Sequence, residues 1–570
     1  MHSAAISGAL VFGAGDAQGG DGLMLGGCRL VTNPALVDMG QVFTHLHRAK
    51  GQELLVAVFG RICHWPDLSD ADLRGANQAQ LVAQAYGEGL GFLPALAGDF
   101  AIVIWDNIAQ RLLLISDHLG TRPLFYLDQG NAVYFASAIA DLLPHCVDRD
   151  CLYTPKVLDF LHGANTSDPR REIIDEIRSL HMGEYVEFHA GQGAKVTPYW
   201  HPNDAPVQRG KSDAELISEL QDLLRLSVQQ RVPHDIQLAL HISGGLDSSA
   251  VAAIAGPYAK QQGLKRPIGV SWLPDADTPD QRGPDHAYCA LAAQTYDVDL
   301  SWAGIKACDQ EAFFALDPCV GNSTSTLLLE IGAQRALKDD APRLVLSGWG
   351  GDEVISNPGR SKWRGRVPGW MRSLRHAPRA LFSRRSERGN NSFLTPSYLA
   401  QFRAQEQAMP GLRDGTARRR QILRLTLGGI QERMRSWSSY FADQRVQFAY
   451  PLLDQRLVSF VLGLPPHLFT SETGLRRNVI RLATSGILVD KLRLRNDKEE
   501  PARFDDSARA GREIAPEFLA RLDAGAFDPA RAAFLDMDRL RQGLKDQVAG
   551  QKTQFGKISN ALALILQSRP

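Results

Sequence analysis

The segment Ser243-Gly244-Gly245-Leu246-Asp247-Ser248-Ser249 constrains this chain more than any other. An apolar run, Ile236–Ile242, leads into it, and an apolar stretch from Asp247 to about Tyr258 leaves it. Strand, glycine turn and helix in that order build an anion site. The glycines let the backbone turn sharply and aim N–H groups at the anion, and the helix start adds its positive dipole end. Ser243, Ser248 and Ser249 can donate hydroxyl hydrogen bonds. Asp247 repels phosphate and reads instead as a Mg²⁺ ligand. The lysine of the common GxxxxGK[ST] loop is absent.

A second cluster repeats the pattern. Arg343–Leu346 reads as a strand and runs into Ser347-Gly348-Trp349-Gly350-Gly351-Asp352-Glu353. Ile268–Trp272 is another strand candidate, and it puts Val270 and Ser271 beside the loop. Lys211–Gln230 is helical, with Leu216, Leu220, Leu223, Leu224 and Val228 recurring every three to four residues. Strands alternating with helices predict a parallel α/β sheet, with ligands beyond the carboxyl ends of its strands. Two such ends carrying carboxylates place Asp247 and Asp352 on one Mg²⁺. Gly348 joins the loop glycines as a nucleotide contact, and Trp349 becomes a pocket wall.

The first 200 residues differ. Leu54–Phe59, Phe100–Trp105, Arg111–Ile115, Leu124–Leu127 and Ala132–Ala138 are short apolar runs bounded by Gly, Asp and Pro, which predicts packed β-sheets. His201–Gly210 reads as a polar linker. The expected domains are therefore 1–200 and 211–570, with a basic insertion at 359–389 that holds ten Lys/Arg and one Glu. The tail beyond Asp490 reads as helical and polar. Lys+Arg and Asp+Glu both number 63, so no global charge draws the chain to nucleic acid or an anionic membrane. Seven scattered cysteines without a CxxC pair argue for a reducing, cytoplasmic setting; Cys289, Cys308 and Cys319 read as buried apolar residues. No uncharged run approaches the ~20 apolar residues of a spanning helix.

The SGGLDSS loop resembles the ATP pyrophosphatase type, and the whole chain resembles the asparagine synthetase superfamily. Leu96–Tyr126 is similar to its N-terminal amidotransferase domain, SGGLDSS and SGWGGDE to its synthetase core, and Tyr450-Pro451-Leu452-Leu453-Asp454 to its (Y/R)-P-(F/L)-L-D element. Arg495-Asn496-Asp497-Lys498-Glu499-Glu500-Pro501 falls where the family carries a lysine near the ATP phosphates. The resemblance implies an Ntn-hydrolase-like β sandwich joined to an adenine-nucleotide-binding parallel α/β domain. It also implies ATP and Mg²⁺ as cofactors, and a carboxylate activated as an acyl-adenylate with release of pyrophosphate.

Departures narrow the expectation. A glutamine-hydrolysing member needs an N-terminal Cys activated by its own amine. Here the family's Cys-Gly falls on Ala4-Ala5, before Ile6-Ser7-Gly8, and its Asn-Gly-Glu falls on Phe59-Gly60-Arg61. A degenerate glutaminase leaves a scaffold, and the amine comes from the substrate. GWGGDE, YPLLD and RNDKEEP together look most like lasso-peptide cyclases. That implies a precursor peptide substrate, macrolactam closure between its Asp/Glu side chain and its N-terminal amine, and a leader peptidase and leader-recognition protein as partners. Lys498, Glu353 and Trp349 are the expected catalytic residues; Glu432 is a second candidate for the base. A substrate pocket is expected near Glu330, Gln431–Tyr450 and Trp349. His241 reads as a packed strand residue. The rival readings are a β-lactam-type or ammonia-dependent asparagine synthetase, and a non-catalytic ATP-binding scaffold.

Overall fold

The computed structural model describes residues 5–11, 22–49, 51–274, 283–320, 325–337, 341–357, 392–409, 416–471, 475–496, 501–551 and 555–566. The basic stretch 359–389, Ala4 and Lys498 lie outside the described residues.

Alternation of apolar side chains builds the N-terminal part. In Gln52–His64, Leu55, Ala57 and Phe59 enter one core while Leu54, Val56 and Val58 enter another. Ala97–Asp106 and Arg111–Ser116 alternate in the same way. A strand that is apolar on both faces must be covered twice. Its sheet is antiparallel, with strands in the order Lys195–Pro198, Glu184–His189, Arg111–Ser116, Ala97–Asp106, Gln52–His64 and Val42–Ala49. The helix Gln78–Tyr86 covers one face, through Ala79, Val82 and Ala83. A second antiparallel sheet covers the other, in the order Arg178–Ser179, Phe125–Asp128, Ala132–Ala136, Ile6–Val11, Cys28–Thr32 and Leu23–Leu25. The expected sandwich is present. The run expected as a strand from Leu124 starts at Phe125, and the one expected to reach Ala138 stops at Ala136.

The C-terminal part is built on five parallel strands in the order Asp299–Trp302, Ile268–Ser271, Gln237–His241, Arg343–Leu346 and Val446–Ala449. Gln237–His241 pairs with Ile268–Ser271 on one side and with Arg343–Leu346 on the other, Leu240 opposite Leu346. The order reverses between these last two central strands, so their carboxyl ends flank the crevice where open α/β sheets bind ligands. The helix Asp213–Gln229 packs beneath, started by a capping box in which Ser212 and Glu215 satisfy each other's backbone N–H groups.

Two features differ from the sequence expectations. The His201–Gly210 segment is packed rather than loose: the Gln208 N–H donates to the Gly463 carbonyl (3.0 Å), and Arg418 donates to the Asn203 and Ala205 carbonyls. The tail is not uniformly polar. The helix Phe555–Ile565 buries Ile558, Leu562, Leu564 and Ile565 against the outer face of the second antiparallel sheet and the helix Thr154–His162. A charged network joins the two parts. Arg231 donates to Asp99 of the sandwich (2.7 Å) and to Asp454 of the YPLLD element (2.8 Å), and all three side chains are buried. Burial alone raises a carboxyl pKa, yet Arg231 and Arg456 hold Asp454 well below the usual carboxylate range.

Candidate active site

The pyrophosphate-type loop leaves Gln237–His241, turns through Gly244 and enters the helix Leu246–Gln261. Gly244 sits at φ +63°, and a Cβ there would lie 2.8 Å from the Tyr288 side chain, so only glycine fits. The Ser243 and Ser248 hydroxyls are 2.8 Å apart, and the Ser248 Oγ accepts from the Ser243 N–H, which closes the loop on itself. The Arg495 guanidinium donates to the Gly244 carbonyl and pairs with Asp285, fixing the turn from behind.

The second glycine cluster docks directly onto the first. A Cβ on Gly348 would sit 2.7 Å from the Ser248 nitrogen, and one on Gly351 would sit 2.3 Å from an Asp247 carboxylate oxygen. The glycines therefore permit contact between two loops that are a hundred residues apart in sequence. That contact brings the carboxylates of Asp247 and Asp352 to a single cation, the Arg477 guanidinium, at 3.5 and 2.8 Å. Arg477 has φ +62°, a left-handed conformation that costs a side-chain-bearing residue about 1 kcal/mol or more. Two carboxylates converging on one positive centre are oxygen ligands of the kind Mg²⁺ takes, and the Ser356 hydroxyl donates to Asp247 and holds it in place.

These elements enclose a cavity of about 380 Å³. Ser243, Asp247, Ser248, Val270, Ser271, Gly348, Trp349, Asp352 and Glu353 all line it. Ser249 does not: it is fully buried. Gly244 and Gly245 shape the turn without facing the space. Burial, then the neighbouring Asp352 charge, raises the Glu353 carboxyl above its ordinary pKa, against the pull of Arg433 and Arg424. The far wall is aromatic. Trp349 and Trp272 have ring centroids 6.1 Å apart, Trp437 lies behind both, and Arg433 stacks 4.7 Å over Trp349.

Of the pocket expected near Glu330, Gln431–Tyr450 and Trp349, Trp349 and Arg433 line this cleft, Glu330 is fully buried, and Glu432 is elsewhere. It pairs with Lys156 in a separate cavity of about 190 Å³ between the two parts of the molecule. Cys289 and Cys319 are buried, whereas Cys308 is exposed, because it lies in the first turn of a surface helix, Ala307–Phe314. Arg433 falls within the expected Gln431–Tyr450 stretch, whereas Arg477 and Trp272 were not expected at the site. Neither lies in a glycine-rich motif, and only the left-handed backbone of Arg477, invisible in sequence, marks that residue.

The Asparagine synthase family model matches residues 219–568, well over half of the chain. The chain belongs to the asparagine synthase family. A Glutamine amidotransferase domain model matches residues 65–200. The chain is 28% identical over 217 residues to asparagine synthetase [glutamine-hydrolyzing] 2 of Bacillus subtilis, which covers 35% of this chain and 29% of that protein. It is 23% identical over 501 residues to asparagine synthetase [glutamine-hydrolyzing] 3 of the same organism, covering 82% of this chain and 77% of that one. With asparagine synthetase B of Escherichia coli it shares 23% over 295 residues, 49% of this chain and 47% of the relative. No helix among the described residues is long and apolar enough to cross a membrane.

Proposed function

We propose that this chain uses ATP to activate a side-chain carboxylate of a peptide and joins it to that peptide's own N-terminal amine, closing a macrolactam. The observation that carries the adenylation half is the docking of the two glycine clusters at the sheet's reversal point, which brings Asp247 and Asp352 together. The Ser243–Ser249 loop, with Val270, Ser271 and Gly348, would hold the nucleotide. Bound between Asp247 and Asp352, Mg²⁺ would supply positive charge where pyrophosphate departs. The Gly244 turn and the start of the helix Leu246–Gln261 orient the phosphates with N–H groups. Lys498 is proposed as a further phosphate contact.

The macrolactam half rests on the indole wall of Trp272 and Trp349. Two indole rings give a broad surface on which a folded peptide segment can pack. Keeping water from the activated acyl group and holding the amine close are the two demands of ring closure. Attack by the amine also needs a proton acceptor, and Glu353 and His241 both line the cleft. A precursor peptide is the proposed substrate, with a leader peptidase and a leader-recognition protein as proposed partners.

The names of the relatives favour a second reading, amidation of free aspartate. Incubation with ATP and Mg²⁺ separates the two. A linear peptide with a free N-terminal amine and an Asp or Glu should lose one water, with AMP and pyrophosphate formed in equal amounts. AMP with aspartate and ammonia, but never with a peptide, would replace the cyclase reading by the synthetase one.

A further inference from the structure

Beneath the indole wall lies a chain of three polar side chains from three different elements. His241 ends the central strand Gln237–His241, Glu330 comes from the helix Ser325–Ala336, and Ser347 opens the second glycine cluster. The His241 Nδ1 lies 3.0 Å from the Ser347 Oγ, and the Nε2 lies 3.1 Å from the Glu330 Oε1. Glu330 is completely buried and Ser347 almost so, but Ser347 and His241 both border the cavity.

The hydrogen bonds fix the direction of this chain. The Glu330 Oε1 accepts from the Gln334 amide (2.7 Å), and its Oε2 accepts from the Trp272 indole N–H (2.9 Å). With both oxygens taking N–H groups, the carboxyl group accepts from His241 as well, so the imidazole proton sits on Nε2. The Nδ1 is then an acceptor and takes the Ser347 hydroxyl proton. Ser347 also accepts the Trp349 N–H (3.3 Å), which leaves one lone pair of its oxygen for the cleft. A carboxylate, an oriented imidazole and a hydroxyl in this order form a path for a proton out of the cavity.

We infer that Ser347, His241 and Glu330 form the proton relay for amide formation, with His241 the acceptor and Ser347 its contact with the substrate. The inference rests on the amide-forming reading above and deepens it. As the amine nitrogen bonds to the acyl carbon, the bond from that carbon to the phosphate oxygen breaks and AMP leaves with its electron pair. The ammonium proton passes to the Ser347 oxygen while that residue's own proton passes to His241 Nδ1. Glu330 offsets the imidazolium charge, and the proton is lost to solvent after product leaves. Glu353 is less suited, since it lies beside Asp352 and faces Arg433 and Arg424.

Among the described residues, Glu330 is the ionisable group that His241 touches; Trp272, Trp437 and Phe448 pack around the ring. The buried Tyr450 hydroxyl lies in the field of Glu330, and Asp247, Asp285, Asp352, Glu353 and Arg433 line the same cavity.

Two measurements on the full chain test the relay. Nitrogen NMR with labelled histidine should find His241 as the Nε2–H tautomer, and Glu330→Gln should disturb that preference; an Nδ1–H tautomer in the wild type would overturn the relay. For kinetics, the probes are ATP, Mg²⁺ and either a linear peptide with a free amine and an Asp/Glu, or L-aspartate with ammonium chloride. His241→Gln should keep single-turnover AMP formation within a few-fold and slow amide formation by about 10²–10⁴-fold. Hydroxylamine, already largely unprotonated at neutral pH, should still be acylated by this variant. An unchanged amide rate in His241→Gln, or its loss in Glu353→Gln alone, would overturn the relay. Absence of AMP from the wild type with every probe would instead overturn the amide-forming reading on which it rests.

Discussion

Asp247 and Asp352, on loops that follow neighbouring strands, share one cation, the Arg477 guanidinium, at 3.5 and 2.8 Å. The contact exists because Gly351 leaves no Cβ between the loops. It defines the point where the proposed chemistry accumulates positive charge.

Removing either carboxylate should therefore stop AMP formation. Asp352 is half exposed, so Asp352→Ala should fold normally and lose several kcal/mol of transition-state stabilisation, a rate loss on the order of a hundredfold or more. Single-turnover AMP assays measure this. Near-wild-type turnover in Asp352→Ala would show that the two carboxylates do not share a metal.

Gly351→Ala tests the docking itself. The new methyl would lie 2.3 Å from an Asp247 oxygen and must push the carboxylate aside. Mg²⁺-dependent AMP formation should fall at least tenfold. A variant with full activity would mean that Asp247 can move without consequence.

Arg231 holds the sandwich to the parallel-sheet part by pairing with Asp99 and Asp454. Arg231→Ala leaves two buried carboxylates facing each other and should cost about 3–5 kcal/mol. Urea denaturation monitored by tryptophan fluorescence gives the value; a loss below 1 kcal/mol would show that the network contributes little.

Acid sensitivity should be set partly by His118. Burial lowers its pKa from 6.5 to about 4, against the Pro94 carbonyl that its ring nitrogen faces at 3.3 Å. The unfolded chain takes up a proton near 6.5, and the folded chain resists until about 4. Stability from this group is thus complete above pH 6.5 and falls as pH drops to 4, by about 3 kcal/mol in all. His181, lowered by burial and by Arg435 to about 3, acts in the same direction. His118→Gln should flatten the loss between those pH values without abolishing it; an unchanged slope would contradict the assignment.

No glutamate should be released from glutamine, with or without ATP. Ala5 is buried with its N–H donated to the Ser137 hydroxyl at 2.7 Å, and Phe59 is packed between the two sheets. Stoichiometric glutamate alongside AMP would show that the sandwich retains catalysis.

The sequence by itself determined the local units. Alternation in Leu54–Phe59 and Phe100–Trp105 specifies strands, and glycine between an apolar strand and an apolar helix specifies an anion loop, because side-chain period and backbone freedom are properties of neighbouring residues. Hence SGGLDSS, SGWGGDE and the wall position of Trp349 were legible. Tertiary structure decided the rest. Ser249, next to loop residues that line the cavity, turns inward because the helix rotates each residue by about 100°. Glu432 faces Lys156 rather than the cleft, since an ion pair across the join of the two parts depends on how distant surfaces meet. Arg477 reaches Asp247 across 230 positions, and His241 finds Glu330 and Ser347 only when strand order brings three elements together. Pairings over such separations leave no periodic trace in the chain, because sheet order and packing set them.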